Sequence, residues 1–205
     1  MTSIPLMVDL KEKRVIVVGG GKVAQRRIST IINTGASIVV ISPHITPVIN
    51  EWYQQDKIEW LEKEFSVGDL DDAFLTIIAT NNSTINKMAT ESAPKQTLIN
   101  AVEDAELGNT KFPIHLKRGR LSIAISTGGA SPILAKKIKH QLNQTYDERY
   151  ESYLDFLFEA RSLIKQTSLP IHKKKELLQK LVSDDFLTYE EQQHELLALK
   201  KEINN

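Results

Sequence analysis

The sequence contains no cysteine, which excludes disulfides, thiolate metal sites and a cysteine nucleophile. Long apolar runs are also missing. No stretch approaches the roughly 20 residues needed to span a bilayer. The opening residues, MTSIPLMVDLKEK, lack a basic segment followed by an apolar one, so a soluble, cytoplasmic protein without membrane association is expected. Neither sign of charge is in excess: 26 basic side chains balance 26 acidic ones, whereas a dedicated nucleic-acid binder usually carries a basic surplus. The five histidines (His44, His115, His140, His172 and His194) show no H-x-x-x-H or related spacing, so no preformed metal site is expected. Ser126 lies in no G-x-S-x-G elbow, which argues against a hydrolase triad.

What is present is an ordinary globular composition, 41% hydrophobic and 25% charged over 205 residues, enough for one medium and one small domain. The first hundred residues alternate short β-branched runs with amphipathic segments. RVIVVG (14–19), SIVVIS (37–42), FLTIIAT (74–80) and TLINAV (97–102) are nearly continuous apolar stretches, as strands buried on both faces of a parallel sheet read. KIEWLEKEF (57–65) is a weaker strand candidate. Helices are expected at about 22–34, 45–55 and 83–93. This βα alternation predicts an α/β, Rossmann-like doubly wound sheet. Further on, RLSIAIST (120–127) predicts a strand and Ser131-Pro132 opens a helix to about Gln144. From Tyr146 the chain reads as helical throughout, with Tyr146, Tyr150, Tyr153, Leu154, Leu157 and Ile164 forming an apolar stripe. Thr188-x-x-Glu191 predicts a capping box opening a further helix. The expected division is 1–112, 113–145 and 146–205.

Two glycine turns carry the chemistry. Gly19-x-Gly21-x-x-Ala24 matches the G-x-G-x-x-G/A dinucleotide fingerprint and sits where it must, between a strand and a helix. The first glycine permits the turn, the second admits a pyrophosphate, and the helix N-terminus faces the phosphates. The usual acid at the end of the second strand is absent; Ser42 stands there, leaving NAD and NADP both open. Thr80 and Asn81, at the end of FLTIIAT, lie at the sheet edge where ligands bind and are candidates for the nicotinamide side. Glu103 and Asp104, in NAVEDAE (100–106), are candidates for a general base or a substrate anchor.

The second turn, STGGAS (126–131), again joins a strand to a helix. Ser126, Thr127, Gly128, Gly129 and Ser131 offer amides and hydroxyls to an anion. Leu107 to Tyr146 contains no Asp or Glu but holds Lys111, Lys117, Arg118, Arg120, Lys136, Lys137, Lys139, His115 and His140. In a net-neutral chain that segregation points to an anionic ligand. No aromatic interleaving supports nucleic acid. His115, inside this stretch, is the one histidine carried as a site candidate.

IPLMVDLKEKRVIVVGGGKVAQRRISTIINTGASIVVISP, FLTIIATNNSTIN and LSIAISTGGASPILAKKIK together resemble the precorrin-2 dehydrogenase family, of the siroheme-synthase N-terminal type. The resemblance spans essentially the whole chain. It implies NAD-dependent oxidation of precorrin-2, a polycarboxylate tetrapyrrole, to sirohydrochlorin, with ferrous-iron insertion as an additional activity in some members. It also implies a Rossmann domain, a small α+β dimerisation segment (113–145), a helical C-terminal domain, and a homodimer. By position, Gly19, Gly20, Gly21, Lys22 and Val23 would contact the nucleotide, and Ser42, Pro43 and His44 would lie by its ribose. The family's carboxylate often ends an N-V-V-D run, whereas this chain reads Asn100-Ala101-Val102-Glu103 with Asp104 next, so either acid is a candidate. The family's loop hydroxyl corresponds to Ser126 or Thr127. Asn100, His115, Thr127, Gly128, Gly129 and Ser131 are assigned to the substrate side. Alternatives are a bifunctional dehydrogenase and ferrochelatase and, from another class, a Rossmann module that senses NAD without chemistry.

Overall fold

Runs of β-branched residues set the frame. In the computed structural model, which describes residues 3–104 and 106–203, they form β1 (Arg14–Val18), β2 (Ser37–Ile41), β4 (Leu75–Ile78) and β5 (Leu98–Ala101), with a short β3 (Glu59–Leu61). All pair in parallel in the order β3-β2-β1-β4-β5. Alternation along β1 divides the core: Val15 and Val17 face one cluster with Ala24, Ile28 and Ile49, while Ile16 and Val18 face another with Phe65, Leu70 and Ala89. Both faces are buried, which is why these strands read as unbroken apolar runs. Burying each such side chain contributes about 1.5–3 kcal/mol.

The chain divides into two compact units, and the sheet belongs to the one spanning Ile4–Phe112. Its helices are α1 (Lys22–Ile31), α2 (Pro47–Gln54) and α3 (Ser83–Ser92). In α1 the buried residues are Ala24, Ile28 and Ile31, spaced four and three apart as one helix face requires. The strand order reverses beside β1: the chain runs outward through β2 and β3, then returns to β4 on the other flank. The crevice between the C-terminal ends of β1 and β4 is therefore the topological switch point, where open α/β sheets bind ligands.

The unit from Pro113 onward begins with an antiparallel pair, β6 (Ile114–Arg118) and β7 (Leu121–Ile125), then α4 (Pro132–Thr145). The helices α5 (Arg149–Gln166), α6 (Ile171–Lys180) and α7 (Tyr189–Ile203) follow. Sequence reading identified β7 but missed β6, because Leu116 is the only residue of IHLKR that is buried. From the apolar stripe beginning at Tyr146, Tyr150, Tyr153, Leu154, Leu157 and Ile164 join the helical core, and Tyr146 stays outside it. Tyr153, Phe156, Ala160 and Ile164 meet Leu181, Leu187, Leu196 and Leu199 in one core. Tyr153 keeps its buried hydroxyl satisfied by donating to Leu181 O at 2.8 Å and accepting from Ser183 N–H at 3.1 Å. The Thr188–Glu191 pair caps α7, with the threonine hydroxyl donating to Glu191 Oε2 at 2.7 Å and accepting the Glu191 N–H at 3.4 Å. No helix among the described residues is long and apolar enough to cross a membrane.

Candidate active site

Three glycines make the turn after β1, each for a separate reason. Gly19 has φ +114°, and a Cβ there would lie 2.5 Å from the carbonyl oxygen of Ala79. At Gly20 a Cβ would come within 2.1 Å of His44 O, and the Gly20 carbonyl accepts the Thr46 N–H at 3.0 Å. Both are packing glycines, holding the turn against the loops after β4 and β2. Gly21 differs: nothing lies within 4 Å of its would-be Cβ, and it is the N-cap of α1. The open space lies where a bound group has to approach the backbone.

The start of α1 has the electrostatics of an anion site. Gly21 provides no side-chain cap and the first turn carries no acidic residue. The first helical hydrogen bond runs from Gln25 N–H to Gly21 O at 2.9 Å, so the preceding amides have no acceptor within the helix. By contrast α2 and α3 are capped by the side chains of Thr46 and Asn82. An uncapped, glycine-lined helix start facing a cleft fits a pyrophosphate.

That cleft, about 740 Å³, is lined by the turn, by Ser42, Pro43 and His44 after β2, by Glu64 and Phe65 after β3, and by Thr80, Asn81, Ile85 and Glu103 beyond β4 and β5. Gly19, Gly20, Gly21, Lys22, Val23, Ser42, Pro43, His44, Thr80 and Asn81 all face it. Ser42 donates its hydroxyl to His44 O at 2.7 Å, and its own carbonyl is held by Trp60 Nε1 at 2.9 Å. With that proton engaged, Ser42 Oγ meets a ligand as an acceptor.

The two candidate carboxylates separate. Glu103 lines the cleft and accepts from Asn86 Nδ2 at 3.1 Å. Asp104 is outside the lining; its Oδ1 accepts the Glu106 N–H at 2.9 Å, closing a local turn. Asn100 is buried in β5, also outside the lining, and donates from Nδ2 to Thr110 O at 2.8 Å, pinning the returning chain.

In the other unit, the Ser126–Ser131 turn is held by its own hydroxyls. Gly128 (φ +63°) and Gly129 (φ +91°) give it its left-handed bend. The Gly128 N–H goes to Ser126 Oγ at 3.2 Å, and the Ser131 N–H to Thr127 Oγ1 at 3.2 Å. The Leu134 N–H goes to Ser131 Oγ at 3.1 Å. Several amides read as anion donors are thus already engaged. Ser126 and Ser131 use their oxygens as acceptors, which leaves their hydroxyl protons for a ligand. His115, on β6, pairs through Nε2 with Ser122 Oγ at 2.6 Å. Burial, then the charges of Lys117 and Lys139, pushes its pKa below the ordinary histidine value.

Sequence reasoning missed Glu64, Phe65, Ile85 and Asn86. The first three reach the cleft only because β3 ends and α3 begins beside it. Asn86 carried the one usable signal, a polar residue in an otherwise core-facing helix position.

Comparison with known proteins follows the same outline. Residues 6–114 match an NAD(P)-binding family model, 118–145 the sirohaem biosynthesis protein central model and 150–196 the SirC C-terminal domain. Precorrin-2 dehydrogenase of Priestia megaterium is 39% identical over 181 residues, covering 88% of this chain and 90% of that protein. The Bacillus subtilis precorrin-2 dehydrogenase is 35% identical over 158 residues, covering 77% and 98%. Siroheme synthase 1 of Serratia proteamaculans is 30% identical over 189 residues, but this chain spans only 40% of it. The solved structure of SirC, a precorrin-2 dehydrogenase, superposes with a TM-score of 0.85 at 37% identity, covering 97% of this chain and all of that one. The chain belongs to the precorrin-2 dehydrogenase family.

Proposed function

We propose that this chain oxidises precorrin-2 to sirohydrochlorin, with NAD as hydride acceptor. The observation that carries the reading is the convergence of the glycine turn, the uncapped start of α1 and the Glu103 carboxylate on one cleft at the switch point of the sheet. Bound NAD supplies the hydride acceptor. The chain's own residues do the rest: the α1 amides hold the pyrophosphate, Thr80 and Asn81 flank the nicotinamide end, and Glu103 takes the proton released as the hydride departs. Of the two carboxylates, Glu103 is preferred because it alone faces the cleft.

Two features favour NAD over NADP. Ser42 Oγ has its proton engaged with His44 O, so it suits ribose hydroxyls, which donate, and offers no donor to a 2′-phosphate. Glu64, on the same cleft, replaces the missing acid with a carboxylate from the loop after β3, which repels a 2′-phosphate.

The substrate is a polyanion, and the acid-free stretch from Leu107 to Tyr146 suits it. Within that stretch Arg120 is already engaged: its Nε pairs with Asp155 at 2.7 Å and its guanidinium stacks 3.8 Å from the Phe158 ring centroid. The Ser126 and Ser131 hydroxyls, with His115 nearby in sequence, are assigned to substrate carboxylates. The segment 113–145 is assigned to dimerisation, supported by Ile133 and Leu134, 82% and 48% exposed at the start of α4; sedimentation of the purified protein tests it.

The test of activity is absorbance on mixing the protein with precorrin-2 and NAD. NADH and the sirohydrochlorin spectrum are expected to grow together. A protein that binds NAD yet forms neither is a sensor, and the proposal is wrong.

A further inference from the structure

Asn86 is only 5% exposed, on the buried face of α3 shared with Ala89. Asparagine is a weak helix former, and burying a primary amide is costly unless its groups are bonded. Here they are. Asn86 Oδ1 accepts from Thr80 Oγ1 at 2.6 Å, and Nδ2 donates to Thr80 O at 3.1 Å and to Glu103 Oε2 at 3.1 Å. Chemistry dictates the orientation of the amide. The Thr80 carbonyl and the Glu103 carboxylate both accept, so only the NH₂ end can face them. The two bonds to Thr80 engage both ends of the amide. The third reaches across to the segment beyond β5 and ends on the carboxylate that faces the cleft.

Glu103 lies past the last residue of β5 and is solvent-exposed, where a glutamate ordinarily samples several rotamers. The geometry points to Asn86 as a positioning residue for the dehydrogenation. With Thr80 it fixes one oxygen of Glu103 at the nicotinamide end of the cleft and leaves the other oxygen for the reacting centre. Thr80 thereby does two jobs, lining the cleft and locking the amide that holds the base. The inference rests on the reading of Glu103 as the functional carboxylate, and the experiment separates the two.

Glu103→Gln tests that reading by itself: full turnover would remove Glu103 from the chemistry. With E103Q impaired, Asn86→Ala is expected to lower kcat by about 10- to 100-fold, the range for losing a hydrogen bond to a charged group. The Kd for NAD stays within about twofold of wild type, since displacing a catalytic group leaves binding nearly intact. In single-turnover NADH formation, N86A/E103Q is expected to be no slower than E103Q alone, because the amide acts only through the carboxylate. The exchanged pair N86D/E103Q reverses donor and acceptor at residue 103 but leaves the Thr80 carbonyl facing a carboxylate oxygen. It should be more stable than N86D, in which two carboxylates meet, without recovering kcat. If N86A does not fold, Asn86→Leu substitutes for it: the side chain fills the buried position and lacks the donor to Glu103. A kcat within twofold of wild type in these Asn86 variants overturns the inference. So does a loss of NAD affinity as large as the loss in kcat, or a kcat loss that multiplies with that of E103Q.

Discussion

The two glycine turns have similar sequences and opposite hydrogen-bond economies. Around Gly19–Gly21 the backbone is clamped by neighbouring loops, at 2.5 Å and 2.1 Å from where two Cβ atoms would sit, while the amides opening α1 have no side-chain cap. Around Ser126–Ser131 the amides are closed off by the turn's own hydroxyls, and at Gly129 nothing lies within 4 Å of a would-be Cβ. The first turn is rigid by packing and unsatisfied electrostatically, which suits a ligand that supplies the missing acceptor. The second has several of its amides bonded within the turn and is open at Gly129, so an anion there would be met by serine hydroxyls rather than by a preformed amide cradle. Strand–glycine–helix in a sequence therefore predicts a turn, but only the caps tell which kind.

Substitution at the packing glycines separates the turns most sharply. Gly20→Ala forces a methyl against His44 O and Ile45. It is expected to cost about 3 kcal/mol, the upper part of the overpacking range. Gly129→Ala meets no atom and bears only the strain of φ +91°, about 1–2 kcal/mol. Denaturant midpoints of the two variants check this, and equal losses would mean that the first turn relaxes as easily as the second.

Gly21→Val addresses ligand rather than fold. The residue is exposed, with φ −81°, and its surroundings are open, so the cost in stability is that of a poorer N-cap, about 1 kcal/mol. The side chain occupies the approach to the α1 amides, and NAD affinity is expected to fall about tenfold or more. Calorimetric titration with NAD measures it. Unchanged affinity would place the pyrophosphate elsewhere.

Most of the sheet was legible because its strands are buried on both faces, and β-branched runs such as RVIVV have no other good use. That Gly19–Val23, Ser42–His44, Thr80 and Asn81 would share one cleft was legible for the same reason: once the strand order is assumed, strand ends fall on one edge. What escaped depended on side chains meeting across that edge. Asn86 and Glu103 are 17 positions apart, and nothing local marks the pair. Glu64 follows a three-residue strand, too short to announce where its loop goes. The choice between Glu103 and Asp104 was likewise undecidable in the sequence, since adjacent residues differ only in where the chain turns, and Asp104 spends its side chain on that turn.

A smaller effect tests the self-satisfied turn. Ser131 caps α4 through the Leu134 N–H. Ser131→Ala is expected to cost about 1 kcal/mol, while Ser126→Ala, which loses a bond to a single exposed glycine amide, costs less. Thermal melts rank the two; the reverse order would mean that the turn is held from its first hydroxyl rather than its last.

The smallest expected effect is electrostatic and concerns His115. Burial, with Lys117 and Lys139 adding to it, lowers its pKa in the folded protein. Between that lowered value and the unfolded value of about 6.5, the unfolded chain binds a proton that the native chain does not. Stability therefore rises with pH across this window, is fully present above it, and is lost as pH falls through it. His115→Gln removes the titration, so the wild-type and variant curves of unfolding midpoint against pH should differ in slope below about pH 6.5 and run parallel above it. A constant offset at all pH values would reflect only the lost contact with Ser122 Oγ and would rule out a lowered pKa. A slope of the opposite sign would mean that an acid stabilises the imidazolium, contrary to the burial and the cationic neighbours, Lys117 and Lys139, that lower its pKa.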